Sequence, residues 1–157
     1  MINITLPVGS VREYQEGVTG IEIAASISEG LARNVLAVKV DGQVWDLTRP
    51  ITQNAAIQLL TWNDDEGKAT YWHSSAHLMA EALEVLYPGV KLGIGPAIEN
   101  GFYYDIDLGE EKLLSQEDFP AIGQKMLELA RQKSEFIRRS VCKEEAIAYF
   151  TEKNAPY

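Results

Sequence analysis

The chain has 157 residues, of which 46% are hydrophobic and 24% are charged. This composition is ordinary for a globular protein, and the length suffices for one average core or two small ones. The net charge of −9 disfavours non-specific nucleic-acid binding, which depends on a basic surface. Because no apolar run could span a membrane and the N-terminus lacks the features of a signal peptide, we expect a cytoplasmic protein with no membrane partner.

The distribution of cysteine and of basic residues narrows the kinds of site that this chain could form. A single cysteine, Cys142, excludes an internal disulfide and a multi-cysteine zinc site made by this chain alone. Basic residues gather near the C-terminus at Arg131, Lys133, Arg138, Arg139 and Lys143. Such a cluster is usually a solvated face, and a local nucleic-acid patch is the alternative.

Residues 1–62 have the pattern of a small mixed sheet crossed by one helix. Apolar residues alternate with polar ones over residues 2–6, which predicts a half-buried strand, and residues 11–14 are its returning strand. Thr19 and Glu22 have the spacing of a capping box that begins a helix. We expect the buried face of that helix to include Ile21, Ala24 and Ala25.

The Asp41-Gly42 pair lies between apolar runs at residues 36–40 and 43–47 and predicts a hairpin with a type I′ turn. A last strand is predicted over residues 56–62. The resulting order of strands around one helix is typical of a ubiquitin-like β-grasp fold. No side chain in residues 1–62 indicates catalysis, so this part is either a binding or docking module or a purely structural domain.

A short acidic stretch over residues 63–67 predicts a domain boundary after residue 62. The longest helical pattern of the chain then runs from Asp65 to Pro88, with Asp64 or Asp65 as its cap. Its apolar residues recur at helical spacing at Trp72, Ala76, Met79, Leu83 and Leu86. His73 and His77, the only histidines, stand four residues apart and therefore on one side of this helix, beside its buried face.

The remaining residues predict short strands followed by two helices. Strands are expected over residues 90–94 and 102–107, with a turn at Asn100-Gly101. Gly93-Ile94-Gly95 lacks the pattern of a phosphate loop, so we expect these glycines to allow backbones to approach closely. Ser115 with Asp118 predicts the N-cap of a helix reaching about residue 134. A strand over residues 136–141 and a helix over residues 143–152 complete the predicted elements.

Residue chemistry alone leaves the His73–His77 pair open to metal binding, substrate binding or a structural role. HSSAH lacks the glutamate of the HExxH zinc proteases, because Ser74 follows His73. Two histidines would be half of a zinc site, and two further ligands would be needed. The aromatic strand, with Tyr103, Tyr104 and Asp105, is the expected neighbour if it packs close by.

HSSAHLMAEAL over residues 73–83, followed by KLGIGPAIENGFYYDID over residues 91–107, closely resembles bacterial threonyl-tRNA synthetases. The resemblance covers the whole chain. It implies a TGS domain with the β-grasp fold over residues 1–62. It also implies that residues 63–157 are the N-terminal, incomplete part of an α+β domain that edits mischarged tRNA.

In that family the enzyme joins threonine to tRNA(Thr) with ATP, and its editing domain hydrolyses serine that has been wrongly attached. By resemblance, His73 and His77 are the catalytic editing residues, and Tyr104 lines the same substrate pocket. The family's ATP, magnesium and single zinc belong to its aminoacylation domain, so the resemblance implies no metal and no cofactor in this chain. The implied full-length enzyme is a homodimer whose partners are tRNA(Thr), threonine and ATP.

Two departures from the family limit what this chain is expected to do. The family completes its editing site with a Cys-x-x-x-His element, which this sequence lacks, and with a lysine that would lie just past Tyr157. We therefore expect an N-terminal piece of a larger enzyme that is inactive by itself. The alternative is a non-catalytic TGS-type module for docking or RNA binding.

Overall fold

A computed structural model describes residues 1–109 and 112–153 as a mixture of helices and short strands. The chain divides into two units, Met1–Tyr71 and Trp72–Tyr157, and the division lies inside one long helix. The α+β class predicted from the sequence is confirmed, whereas the domain boundary predicted after residue 62 remains a prediction. In the described residues, no helix is both long and apolar enough to cross a membrane.

The first unit is built around a five-stranded sheet. Its elements are β1 (Ile2–Thr5), β2 (Val11–Tyr14), β3 (Val18–Thr19), α1 (Gly20–Ile27), α2 (Glu29–Asn34), β4 (Ala37–Val40), β5 (Gln43–Trp45), β6 (Pro50–Ile51) and β7 (Ala55–Leu60). The strand order is β2-β1-β7-β4-β5, in which β1 and β7 are parallel and the other neighbours antiparallel. A parallel pair of first and last strands at the centre is the β-grasp arrangement predicted from the sequence.

Period-two alternation places the core of this unit on one face of the sheet. Ile2 and Ile4 are buried while Asn3 between them is exposed. From α1, Ile23 and Ala24 complete the core, and the prediction that Ala25 is buried is wrong. The reason is a close approach at the start of the helix, where a Cβ added to Gly20 would lie 2.8 Å from Val38. Residues three and four positions after Gly20 therefore face the sheet.

The predicted local signals of the first unit are confirmed. The Thr19 amide donates to the Glu22 carboxylate at 2.9 Å, and the Glu22 amide donates to the Thr19 hydroxyl at 3.4 Å, which completes the capping box. Asp41 and Gly42 have φ values of 46° and 85°, as a type I′ turn requires. Each signal lies within four consecutive residues, which is why the sequence alone reveals it.

A tight turn leads from β7 into helix α3 (Asp65–Leu86). The Asp64 carboxylate accepts a hydrogen bond from the Thr61 amide at 2.7 Å, so this side chain holds the turn that precedes the helix. The Asp64 carbonyl oxygen accepts from the Lys68 amide at 2.9 Å, which closes the first helical turn. Gly67 then passes directly over Thr61, where an added Cβ would lie 2.0 Å from the Thr61 carbonyl oxygen. No side chain fits at this position.

The second unit continues α3 and adds short hairpin strands and two helices. These elements are β8 (Lys91–Leu92), β9 (Ala97–Ile98), β10 (Gly101–Phe102), β11 (Ile106–Asp107), α4 (Phe119–Gln132) and α5 (Lys143–Glu152). Strand β9 pairs with β10 and β8 with β11, both antiparallel. The predicted strand over residues 102–107 is therefore interrupted between β10 and β11. The two-residue turn between β9 and β10 is Glu99-Asn100 rather than the predicted Asn100-Gly101.

Two predictions about the last third of the chain need correction. Residues 134–142 have no regular secondary structure, so the strand predicted over residues 136–141 is wrong. The β-branched and aromatic residues of this segment favour a strand only where a neighbouring strand can form backbone hydrogen bonds with it. At the start of α4, Asp118 rather than Ser115 occupies the N-cap, and its carboxylate accepts from the Ser115 amide at 2.8 Å and from the Tyr87 hydroxyl at 3.2 Å.

We predict that Gly67→Ala destabilises the protein, because its methyl group would overlap the Thr61 carbonyl oxygen. The expected loss in the free energy of unfolding is roughly 1–3 kcal/mol, measured by urea denaturation. Gly30→Ala is the matched control, since Gly30 also lies in a helix but an added Cβ would make only an ordinary contact, 3.9 Å from the Ser28 hydroxyl. The control should gain about 0.5–1 kcal/mol. Equal stability of the two variants would contradict this account.

We also predict that Asp118→Asn lowers stability at neutral pH and that this loss disappears in acid. Hydrogen bonds from Ser115 and Tyr87 hold the pKa of the Asp118 carboxyl below its ordinary value of 3.8. A lowered pKa stabilises the fold above the unfolded-state pKa, and the stabilisation is lost as the pH falls through the folded-state pKa. Thermal melts between pH 7 and pH 2 measure the difference, with Glu117→Gln as control. A difference that does not change with pH would refute the prediction.

Candidate functional site

The buried face of α3 determines where its histidines point. Ala76 and Leu83 are each only 1% exposed, and Ala80 is buried on the same side of the helix. This apolar face fixes the rotation of α3 about its axis. His73 and His77 lie at the edge of that face and are exposed, as the helical spacing predicts.

The two imidazole rings contact each other directly. The Nε2 atoms of His73 and His77 are 3.1 Å apart, and the ring centroids are 4.6 Å apart with the rings nearly perpendicular. One Nε2 must donate and the other must accept, since two protonated nitrogens at this distance would repel each other. The pair therefore holds one proton between its facing nitrogens and keeps one nitrogen lone pair.

Burial lowers the pKa of His77 from its ordinary value of 6.5, and the neighbouring His73 lowers it further. Desolvation penalises the charged imidazolium, and a second positive charge so close would be unfavourable. His77 is therefore neutral at physiological pH. A neutral imidazole with an available lone pair can accept a proton from water or from a hydroxyl group.

Aromatic side chains surround this part of α3. The ring of Phe136 lies 6.5 Å from that of His77, centroid to centroid, and 65% of Phe136 is exposed. On the neighbouring side of the helix, the rings of Trp72 and Phe102 are 6.4 Å apart. An exposed aromatic face beside two imidazoles is suited to stacking on a flat ligand.

Tyr104 lies in the segment between β10 and β11, where the charge of Glu84 on α3 acts on it. Its hydroxyl has a raised pKa because of burial and because the Glu84 carboxylate is close. Glu84 follows His77 by seven residues, a distance of about 10 Å along the helix axis. The ring of Tyr104 covers Gly95, where an added Cβ would lie 2.5 Å from the ring. His73 and His77 form the close pair, and the charge that acts on Tyr104 is that of Glu84, which lies about two helical turns beyond His77.

The glycines of the segment between β8 and β9 have the role that the sequence predicts. The Gly93 amide donates to the Asp105 carbonyl at 2.8 Å, and a Cβ on Gly93 would lie 3.0 Å from the Asp105 side chain. Gly95 has no room for a side chain under Tyr104. Both glycines thus allow close backbone approach, and the prediction is confirmed.

The histidine pair has no further metal ligands around it in the part of the chain that the structure describes. Within residues 1–109 and 112–153, no three histidine, cysteine, aspartate or glutamate side chains converge in a way that could hold an ion. Cys142, the single thiol, is exposed at the N-cap of α5. These residues do not fit a metal centre, so no step at this site is assigned to a metal.

The first unit has a concave surface of its own. It is a shallow, open cleft of about 390 Å³ lined by Tyr14, Gln15, Glu16, Gly17, Val18, Glu22 and Ser26. The Tyr14 and Ser26 hydroxyls are 2.8 Å apart, and Glu22 is engaged in its capping box, which lowers the pKa of its carboxyl. These groups satisfy one another, so the cleft offers a surface for docking rather than a reactive group.

Sequence reasoning missed two residues next to the candidate site. Glu84 follows His73 by eleven residues, just over three full helical turns, so helical spacing alone could have placed it on the same face. Phe136 could not have been found in this way, because it reaches His77 from a segment 59 residues further along the chain. The sequence had instead placed Phe136 at the start of the strand predicted over residues 136–141.

Comparisons with known proteins agree with the architecture of the first unit and cover the whole chain. The sequence model of the TGS domain family matches residues 2–61. Threonine–tRNA ligases from Cytophaga hutchinsonii, Porphyromonas gingivalis and Parabacteroides distasonis are 64%, 56% and 56% identical over all 157 residues. In each case the chain spans 24% of the length of the relative.

The similarity is not confined to the TGS domain, because each alignment covers all 157 residues. The chain is therefore similar over its whole length to the N-terminal regions of bacterial threonine–tRNA ligases, and its residues 2–61 match the TGS domain.

Proposed function

We propose that this chain acts as the N-terminal region of a cytoplasmic threonine–tRNA ligase and that its histidine pair serves in editing. The complete enzyme would attach threonine to tRNA(Thr) with ATP, as a homodimer. The His73–His77 site would hydrolyse serine that has been attached to tRNA(Thr) by mistake. The observation that carries this proposal is the direct contact between two exposed imidazoles on α3.

The chemistry of the two amino acids explains why such an enzyme needs a second site. Serine keeps the hydroxyl of threonine and lacks only one methyl group. A missing methyl changes binding by only about 1–3 kcal/mol, which is too little for accurate protein synthesis. A hydrolytic site that removes the smaller amino acid after attachment restores the accuracy.

The arrangement of the pair supports a role in moving a proton during ester hydrolysis. A water oxygen attacks the carbonyl carbon of the seryl ester, and the proton that the water loses goes to the free imidazole lone pair, which lies on Nδ1 of the histidine whose Nε2 donates. The bond between the carbonyl carbon and the ribose oxygen breaks, and that oxygen takes the proton back from the imidazole. Because His77 is neutral at physiological pH, the pair is already able to accept that proton.

Tyr104 is proposed to contact the substrate at the far end of the site. The raised pKa of its hydroxyl keeps the group protonated at neutral pH, so it can donate a hydrogen bond. A hydroxyl that stays protonated and donates a hydrogen bond suits a group that orients the substrate rather than one that transfers a proton. The zinc, magnesium and ATP implied for the complete enzyme would be bound in another domain.

The rival proposal is a non-catalytic docking or RNA-binding module. It is favoured by the first unit, where the cleft beside α1 has no reactive group. Under that proposal the histidines on α3 would be structural. The two proposals differ in whether substitution of a histidine changes hydrolysis.

We predict that His73→Ala and His77→Ala each reduce hydrolysis of seryl-tRNA(Thr) about 100-fold or more in the full-length enzyme. Release of labelled serine measures the rate, and threonine attachment should stay unchanged. Glu81→Gln, one turn after His77 on α3, is the control for damage to the helix and should keep normal activity. The 157-residue chain alone is expected to be inactive. Unchanged hydrolysis in both histidine variants would favour the docking module.

We further predict the pH dependence of hydrolysis. The proton acceptor must be neutral, so activity falls as the pH drops through its pKa. Burial and His73 lower the pKa of His77, so the midpoint of that fall should lie below pH 6.5. Single-turnover rates between pH 5 and pH 8 would give the midpoint. A midpoint above pH 6.5 would exclude His77 as the acceptor.

A further inference from the structure

Strand β2 lies at the edge of the five-stranded sheet in the first unit. Among the described residues, β1 is its only strand neighbour, and the two strands are antiparallel. The Leu6 amide donates to the Ser10 carbonyl at 2.9 Å, so Leu6 and Ser10 are a hydrogen-bonded pair of this hairpin. Hydrogen-bonded residues alternate along an antiparallel strand, so Val11 and Glu13 direct their N–H and C=O groups away from β1. The edge therefore offers backbone hydrogen-bonding groups to another extended chain.

A cleft of about 390 Å³ lies between the end of β2 and helix α1. The Tyr14 and Ser26 hydroxyls, which are 2.8 Å apart, join the strand to the helix at this cleft. Tyr14 lies opposite the buried Ile2 and is therefore on the helix side of the sheet. Alternate side chains of a segment paired with β2 would point to the same side, toward the cleft.

Two glutamates determine the charge of this cleft. Glu16 and Glu22 both line it, and both are exposed. Hydrogen bonds from the Thr19 backbone and side chain lower the pKa of Glu22 and use only its Oε2 atom, so an ionised carboxylate with an available Oε1 remains. None of the ion pairs among the described residues involves either glutamate. The cleft therefore presents two negative charges that no basic side chain of that part of the chain neutralises.

We propose that β2 and this cleft form a docking surface for an extended segment of a partner protein that carries one lysine or arginine. The segment pairs with the free edge of β2 as an added strand. Its basic side chain enters the cleft and contacts the carboxylates of Glu16 and Glu22. The surface belongs to the first unit alone, so this inference does not depend on the role of the histidine pair.

The charges favour such a segment over the other occupants of an open strand edge. RNA phosphates would be repelled by the two carboxylates. Two copies of this chain, each with a net charge of −9, would repel one another. Arg12 lies on the helix side of β2, opposite Ile4, and would repel a second basic side chain beside it. The segment that fits best therefore has a single basic residue among uncharged, β-branched ones.

The contribution of the cleft is tested with a fluorescently labelled peptide, Thr-Val-Thr-Lys-Thr-Val-Thr with blocked ends, whose binding to the 157-residue chain is measured by fluorescence anisotropy. Glu16→Gln/Glu22→Gln should weaken binding roughly 2-fold to 30-fold, the effect of two exposed ion pairs, and should remove most of its salt dependence. Glutamine at position 22 can still form the capping box, so α1 keeps its start.

The contribution of the strand edge is tested by Val11→Pro, which removes one outward N–H group without changing the charge. Proline is tolerated at the first residue of an edge strand, which Val11 is. Binding should weaken roughly 2-fold to 10-fold, the effect of one lost hydrogen bond. Val11→Thr keeps the N–H group and should bind normally. In the unchanged chain, the peptide should slow hydrogen exchange of the Glu13 amide.

The matched control for charge is Glu29→Gln/Asp46→Asn, because both residues are exposed in the first unit and lie outside the cleft. The proposal is overturned if this control weakens binding as much as Glu16→Gln/Glu22→Gln. It is also overturned if Val11→Pro binds normally, or if a peptide with glutamine in place of lysine binds equally well. Circular dichroism confirms that each variant is folded.

Sedimentation velocity of the chain alone tests whether a second copy covers the edge instead. We expect the same sedimentation coefficient for the unchanged chain and for Val11→Pro. A dimer that Val11→Pro dissociates would show that β2 pairs with β2 of another copy, and it would overturn the proposal of a basic partner segment.

Discussion

The packing of one face of α3 is the constraint on which the candidate site depends. Ala76 and Leu83 are buried, and small residues on that face let the helix lie close to its neighbours. A helix fixed in this way cannot rotate, so the positions of His73 and His77 follow from core packing rather than from any interaction of their own. The two imidazoles therefore need no additional interaction to bring them together, because a spacing of four residues on the helix already does so.

Features determined within a few residues could be predicted from the sequence, and features determined by distant partners could not. The capping box of Thr19 and Glu22 and the Asp41-Gly42 turn each depend on neighbouring residues, and both were found correctly. The buried face of α1 was placed wrongly because the close approach of Gly20 to Val38 is invisible without the sheet. The false strand over residues 136–141 failed for the same reason, since strand formation needs a partner that the chain does not provide there.

The same distinction applies to the candidate site. The contact between the histidines follows from helical periodicity, and the structure gives the distance that periodicity implies. The approach of Phe136 to His77 depends on the path of the chain after α4, where Lys133 adopts a left-handed conformation and ends the helix. The net charge of the whole chain also gave no indication of the local charge in this region. A net charge of −9 argues against nucleic-acid binding by the molecule as a whole, but it conceals a short stretch of opposite sign.

The position of Phe136 connects the protonation of the site to its proposed ligand. Desolvation is the main cause of the lowered pKa of His77, and an apolar ring beside the imidazole removes water from one of its sides. A substrate held against Phe136 would exclude more water and would lower that pKa further. The imidazole would then stay neutral down to a lower pH, but it would also be a weaker base, so the apolar ring widens the pH range of the acceptor at the expense of its basicity.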